Sequence, residues 1–160
     1  MKQGPRQGTP FDSSLRILSL RDHSEAELRR KLKEKGYEEA GIEESVARLK
    51  ELGYLDDVRF ARHFVCSAVR NGRGYGARLK MELARRGVAA AIVAEVLAEI
   101  EEEHSEAELL GQLMERRFGS FDPGSATDKE RRRVIGYLQR KGFSLSAILK
   151  QLKSDGMERG

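Results

Sequence analysis

One spacing pattern recurs three times along the chain, and it limits the fold more than any other feature. Leu28-x3-Leu32-x3-Gly36-Tyr37 is matched by Leu79-x3-Leu83-x3-Gly87-Val88 and again by Val134-x3-Leu138-x3-Gly142-Phe143. Counting on from each glycine, position +6 holds Ile42, Val93 or Ile148, and position +10 holds Val46, Leu97 or Leu152. Position +13 holds Leu49 and Ile100 in the first two copies; in the third it falls on Asp155, and the match stops. Steps of four place the residues before the glycine on one helix face, and the later spacings do the same for a second helix. The glycine between them is a helix C-cap and turn. These glycines lie 51 and 55 residues apart (36 to 87, 87 to 142).

A further helix precedes each pair: Ser13 to Leu20, then Asp56 to about Arg70, then Ser105 to about Phe118. Ser24-Glu25-Ala26-Glu27 and Ser105-Glu106-Ala107-Glu108 have the capping-box form that starts a helix. The expected fold is therefore all-α, with three tandem three-helix units (helix-turn-helix-like repeats) over 13–53, 54–103 and 104–153. A flexible N-terminal arm over 1–12 and a C-terminal tail over 154–160 flank them. Units this short, with few large apolar residues each, pack on their neighbours, which predicts an elongated, curved solenoid.

Composition agrees with this. Charged residues make up 35% and aromatics 6%, with no Trp, and Ala, Leu, Glu, Lys and Arg dominate over β-branched runs. No apolar run approaches the roughly 20 residues of a membrane span. The first nine residues lack the apolar core of a signal peptide. Cys66 is the only cysteine, so no intrachain disulfide forms and a reducing cytoplasm is the expected location.

The stretch Gly53-Tyr54-Leu55-Asp56-Asp57-Val58-Arg59-Phe60-Ala61-Arg62-His63-Phe64 is a helix stop followed at once by a helix start. Gly53 supplies the left-handed stop. Asp56 or Asp57 accepts hydrogen bonds from the free N–H groups of the next turn. Phe60, Ala61, Phe64, Val65 and Ala68 form one apolar face. Tyr54 and Leu55 are bulky and apolar and are expected to pack into the corner.

No catalytic constellation stands out, and neither an enzyme activity nor a cofactor is expected. His23, His63 and His104 have no metal-ligand spacing with one another or with Cys66. Asn71-Gly72-Arg73-Gly74-Tyr75-Gly76 is glycine-rich but lacks the strand, Lys and Ser/Thr of a phosphate loop; it reads as a helix junction.

The net charge of +4 lies in the last third, where residues 104–153 carry 10 basic and 6 acidic groups. The first two units balance, with 9 against 9 and 8 against 8. Middle helices are basic in all three units: Arg29, Arg30, Lys31, Lys33 and Lys35, then Arg78, Lys80, Arg85 and Arg86, then Lys129, Arg131, Arg132, Arg133, Arg140 and Lys141. For any one helix this is an ordinary solvated face with i,i+4 pairs. Threefold recurrence favours a binding face for phosphate backbone or an acidic protein groove. The glycine turn also has helix-turn-helix spacing, but the would-be recognition helices are poor in Arg, Asn and Gln, which argues against base readout.

The chain resembles the RecX regulatory proteins, bacterial modulators of the RecA recombinase. The likeness is carried by Gly53-Tyr54-Leu55-Asp56-Asp57-x-Arg59-Phe60-Ala61-x2-Phe64-Val65 with Arg70, then by Gly76-x-Arg78-Leu79-x2-Glu82-Leu83-x3-Gly87-Val88. It covers about residues 13–153 and is most specific in the second unit. The resemblance implies a non-enzymatic protein, expected as a monomer, that lies in the helical groove of a RecA–single-stranded-DNA filament. There it would lower strand exchange, ATP hydrolysis and co-protease activity. On that reading Arg70, Arg73, Arg78, Arg85, Arg86, Arg131, Arg132 and Arg133 are the expected partner surface. Asp56, Asp57 and Arg59 are either caps or contacts, with Asp56 favoured as a cap that also forms an ion pair between units, and Tyr54, Leu55, Phe60 and Phe64 are expected in the core. Two other classes remain open: a stand-alone nucleic-acid-binding regulator, and a scaffold that ignores DNA.

Overall fold

The computed structural model describes residues 8–158, with side chains to 156. Every regular element among the described residues is a helix. The order is α1 (Pro10–Leu20), α2 (Glu25–Glu34), α3 (Glu39–Glu51), α4 (Asp57–Arg70), α5 (Gly76–Arg85), α6 (Ala90–Glu103), α7 (Glu106–Phe118), α8 (Asp128–Arg140) and α9 (Leu145–Glu158). These fall into the three successive sets of three that the repeat predicts.

The ends of the array differ from expectation. α1 opens at Pro10 rather than Ser13, because Thr9 caps it by accepting from the Asp12 amide at 3.1 Å and proline suits the first helical position. Of the expected arm, residues 1–7 lie outside the described residues. At the other end α9 runs on to Glu158, past the expected limit at 153.

The repeat glycine ends the middle helix in the same way each time. Gly36, Gly87 and Gly142 have φ of +90°, +78° and +106°, a region that residues with a Cβ avoid. The residue after each glycine donates back to the carbonyl five positions earlier: Tyr37 to Leu32 at 3.2 Å, Val88 to Leu83 at 3.1 Å, Phe143 to Leu138 at 3.2 Å. This is the Schellman closure, and it satisfies carbonyls that the helix end leaves open.

Contacts divide the chain into two compact units: the chain up to His63 together with Leu83–Val93, and Phe64–Glu82 together with the chain from Ala94 onward. The first has a core of Ile17, Leu28, Leu32, Ile42, Val46, Leu49 and Leu55. The second is built on Leu109, Leu110, Leu113, Met114, Val134, Leu138, Ile148 and Leu152, joined by Tyr75 and Phe143. The middle repeat is thus shared out. Its α5–α6 turn belongs to the first unit, and the start of α5 to the second.

Candidate partner-binding surfaces

The Gly53 corner is a lock built from the first unit's own residues. Tyr54 and Leu55 both donate to the Leu49 carbonyl, at 2.9 and 3.3 Å, which turns Leu55 inward to 3% exposure. Tyr54 is 56% exposed, contrary to its expected place in the core, because the turn that buries Leu55 directs its neighbour outward. Phe60 and Ala61 are buried, whereas Phe64 is only partly so.

Asp56 Oδ1 accepts from the Val58 and Arg59 amides at 3.0 and 3.1 Å, so Asp56 is the cap of α4. The reach to another element belongs instead to Asp57, whose Oδ1 accepts from the Glu25 amide at 2.8 Å and so serves the first turn of α2. Burial raises the Asp57 carboxyl above its ordinary range, assisted by the Glu25 charge; the Glu25 amide, Lys50 and Arg29 oppose the shift. Arg59 Nη1 closes the corner by donating to the Gly53 carbonyl at 2.8 Å. These motif residues hold backbone in place and present little free chemistry.

A second cluster in the same unit ties α2 to the α5–α6 turn. Ser24 Oγ accepts from the Glu27 amide and donates to the Arg86 carbonyl at 2.5 Å. Glu27, with its side chain 5% exposed, pairs with Arg21 at 3.0 Å and Arg86 at 3.6 Å, and its Oε1 accepts from the Ser24 amide. Burial alone would raise the Glu27 carboxyl. The Arg21 hydrogen bond, the Ser24 amide and the charges of Arg21 and Arg86 outweigh it and hold the group below the usual carboxylate range.

His23 sits beside them at 3% exposure. Its Nδ1 lies 2.9 Å from the Arg21 carbonyl, which can only accept, so Nδ1 carries the proton. Nε2 is buried without a hydrogen-bond partner. Burial lowers the His23 pKa, reinforced by the Arg21 and Lys31 charges and offset in part by the Arg21 carbonyl and Glu27.

The expected arginine surface is divided between the units. Arg85 and Arg86 belong to the first, where Arg85 is exposed and Arg86 is engaged by Glu27. The other six belong to the second, and all are exposed. Arg73 Nη2 donates to Ser67 at 2.8 Å, and Arg78 pairs with Glu82 at 2.8 Å. Arg131 donates to the Pro123 carbonyl at 2.7 Å, and Arg132 to the Asp128 carbonyl at 3.3 Å. In α2, Arg29 is held by Glu43 at 2.8 Å and Glu25 at 3.3 Å, so part of the expected basic stripe is neutralised within the first repeat.

The second unit also collects a cluster that sequence reasoning missed. Arg117 and Lys141 each lie 5.5 Å from the Tyr137 ring, within cation–π range. Lys141 Nζ is 3.5 Å from the Arg73 carbonyl, which brings the α4–α5 loop to the same place. The basic last turn of α7, Arg116-Arg117, was the available sequence signal. Among the described residues no group of three or more His, Cys, Asp or Glu side chains could hold a metal ion. No helix among them is long and apolar enough to cross a membrane.

Family models for the first, second and third three-helix domains of RecX match residues 11–49, 56–97 and 105–152 in that order. The chain belongs to the RecX family. It is 40% identical over 145 residues to the regulatory protein RecX of Syntrophotalea carbinolica, covering 91% of this chain and 94% of that one. To the regulatory protein RecX of Trichlorobacter lovleyi it is 41% identical over 140 residues, covering 88% and 90%. Two solved structures share the fold. RecX from Lactobacillus salivarius superposes with a TM-score of 0.72 at 19% identity, covering 91% of this chain and 95% of that one. A second structure, of a regulatory protein RecX, gives 0.76 at 22% identity, covering 91% and 71%. The RecX domain order therefore accounts for all three repeats, and the domain limits enclose each glycine turn.

Proposed function

We propose that this RecX-family chain binds the RecA–single-stranded-DNA filament in its helical groove, as a monomer in the cytoplasm, and restrains recombination there. The observation that carries the reading is the match to all three RecX domains in order. It acts by occupancy. A chain lying across successive protomers blocks entry of the homologous duplex and hinders filament growth, which lowers strand exchange, ATP hydrolysis and co-protease activity together. Arg70, Arg73, Arg78, Arg85, Arg131, Arg132 and Arg133 serve as exposed contacts to acidic and phosphate groups in that groove. Arg86 acts as an internal anchor through Glu27.

A second reading, direct nucleic-acid binding, draws on the cations gathered around Tyr137, since aromatic faces flanked by positive charge suit unpaired bases. One experiment separates the two: RecA ATP hydrolysis and strand exchange on single-stranded DNA as this protein is titrated in, with binding to bare DNA measured at the same salt. Inhibition at less than one chain per recombinase protomer, with weak binding to bare DNA, is the expected result. No effect on the recombinase, with tight salt-sensitive binding to bare DNA, overturns the proposal in favour of the second reading.

A further inference from the structure

An open groove of about 720 Å³ runs between α8 and α9 in the second unit. Its floor is aliphatic, made by Ile135, Leu149 and Leu152, and its charged lining consists of Arg131, Lys150 and Lys153. Spacing explains the arrangement. Arg131 and Ile135 are four apart on α8, and Leu149, Leu152 and Lys153 share one face of α9. Leu149 remains 50% exposed, and Leu145, one turn earlier, 46%. Two half-exposed leucines on one helix, beside a groove whose charged groups are all cations, are more than the scattered apolar residues a surface ordinarily carries. The Arg131 guanidinium is fixed at the rim by its bond to the Pro123 carbonyl.

We propose that this groove docks an acidic, leucine-bearing helical segment of a partner protein. The cations select carboxylates, and the aliphatic floor takes the leucines of an amphipathic helix laid along it. Single-stranded nucleic acid fits less well, because it binds on aromatic platforms and none of the nine described lining residues is aromatic. The inference rests on the reading above only in taking the partner to be a protein, and its test uses no filament.

The test measures fluorescence anisotropy of the full chain with a labelled helical peptide of about 18 residues, leucine at helical spacing and glutamate elsewhere. Controls replace its glutamates with lysine or its leucines with serine, and an oligo-dT competes. The variants are Leu149→Glu and the double Lys150→Glu, Lys153→Glu; these positions are half-exposed or exposed, and helicity is checked by circular dichroism. The expected result is binding that needs both leucine and glutamate and weakens about tenfold or more in either variant, as loss of a central anchor does. No binding, equal binding by the leucine-free peptide, equal binding by both variants, or displacement by oligo-dT alone overturns the proposal. Any of these would leave inhibition of the recombinase standing or falling by itself.

Discussion

The two turns that join successive repeats perform the same task with opposite chemistry. In the first unit, Gly87 is packed so closely that an added Cβ would run into Ala26 at the start of α2. In the second, an added Cβ on Gly142 would run into the Tyr75 carbonyl and Arg78 at the start of α5. The hydrogen bonds correspond as well. The carbonyl before the glycine, Arg86 or Lys141, accepts from the same repeat position, Ser24 Oγ in one case and the Tyr75 amide at 2.7 Å in the other. Around this common frame the first junction is polar, with His23, Glu27, Arg21 and Arg86. The second is aromatic, with Tyr75 stacked on Phe143 at 4.9 Å and an interplanar angle of 3°. A shared backbone contact thus fixes the joint, and the side chains decide what disturbs it.

Gly36 has the same positive φ but nothing within 4 Å of its would-be Cβ. Substituting alanine at the three glycines therefore separates backbone strain from docking. Gly36→Ala should cost roughly 1–2 kcal/mol, the left-handed penalty alone. Gly142→Ala should cost at least about 4 kcal/mol or prevent folding of the second unit, because the obstacle is backbone. Gly87→Ala should fall between, as it meets a side-chain methyl. Urea titrations followed by circular dichroism check the order, and equal costs at all three would break the comparison.

Glu27→Gln comes next. It removes a buried charge from between Arg21 and Arg86 while keeping the size, and should cost about 2 kcal/mol in the first unit. The same measurement on Glu82→Gln, whose Arg78 partner is 43% exposed, should give less than about 0.5 kcal/mol. Ser24→Ala loses the α2 cap and leaves the Arg86 carbonyl without its hydroxyl, and should cost about 1 kcal/mol. Comparable values for Ser24→Ala and the exposed-cap variant Ser105→Ala would argue that the junction adds nothing.

The smallest effect is acid sensitivity. His23 has a folded pKa below its ordinary 6.5, so above that value both states are neutral and the group contributes no pH dependence. As pH falls below it the unfolded chain takes up the proton first, and stability declines until the folded pKa is reached. Glu27, depressed from 4.5, contributes stability that is lost only at lower pH, as protonation proceeds through its folded pKa. Asp57, raised from 3.8, works in the opposite direction: its folded form takes up the proton first as pH falls and offsets part of the decline. Between 6.5 and 4.5 the decline belongs to His23, and His23→Gln should flatten it in stability measured across that window.

Much of the fold was legible because its determinants are local. The glycine spacing, the Leu28, Leu79 and Val134 faces and the Asp56 cap all act within a few residues, and the helices follow them. Thr127 and Glu130 form the capping box that opens α8, but the irregular segment after Phe118 carries no helical period that would lead to it. Tyr54 departs from its expected place for a different reason: hydrophobicity does not say which of two adjacent bulky residues a turn directs inward. The site was less legible. Charge counting found the exposed arginines but could not tell Arg86, engaged by a buried carboxylate, from Arg85, which is exposed. The Tyr137 cluster and the α8–α9 groove join residues from separate helices, and no local pattern records that meeting.

The two junctions can be compared through one equivalent bond in each, the Val88 amide to the Leu83 carbonyl and the Phe143 amide to the Leu138 carbonyl. Native-state hydrogen exchange at both amides, at pH about 7 and about 5.5 and corrected for intrinsic exchange, reads their opening separately. The polar junction should lose protection at Val88 on acidification while Phe143 keeps its own. Equal loss at both amides, or loss at Phe143 alone, would contradict the assignment of acid sensitivity to the His23 junction.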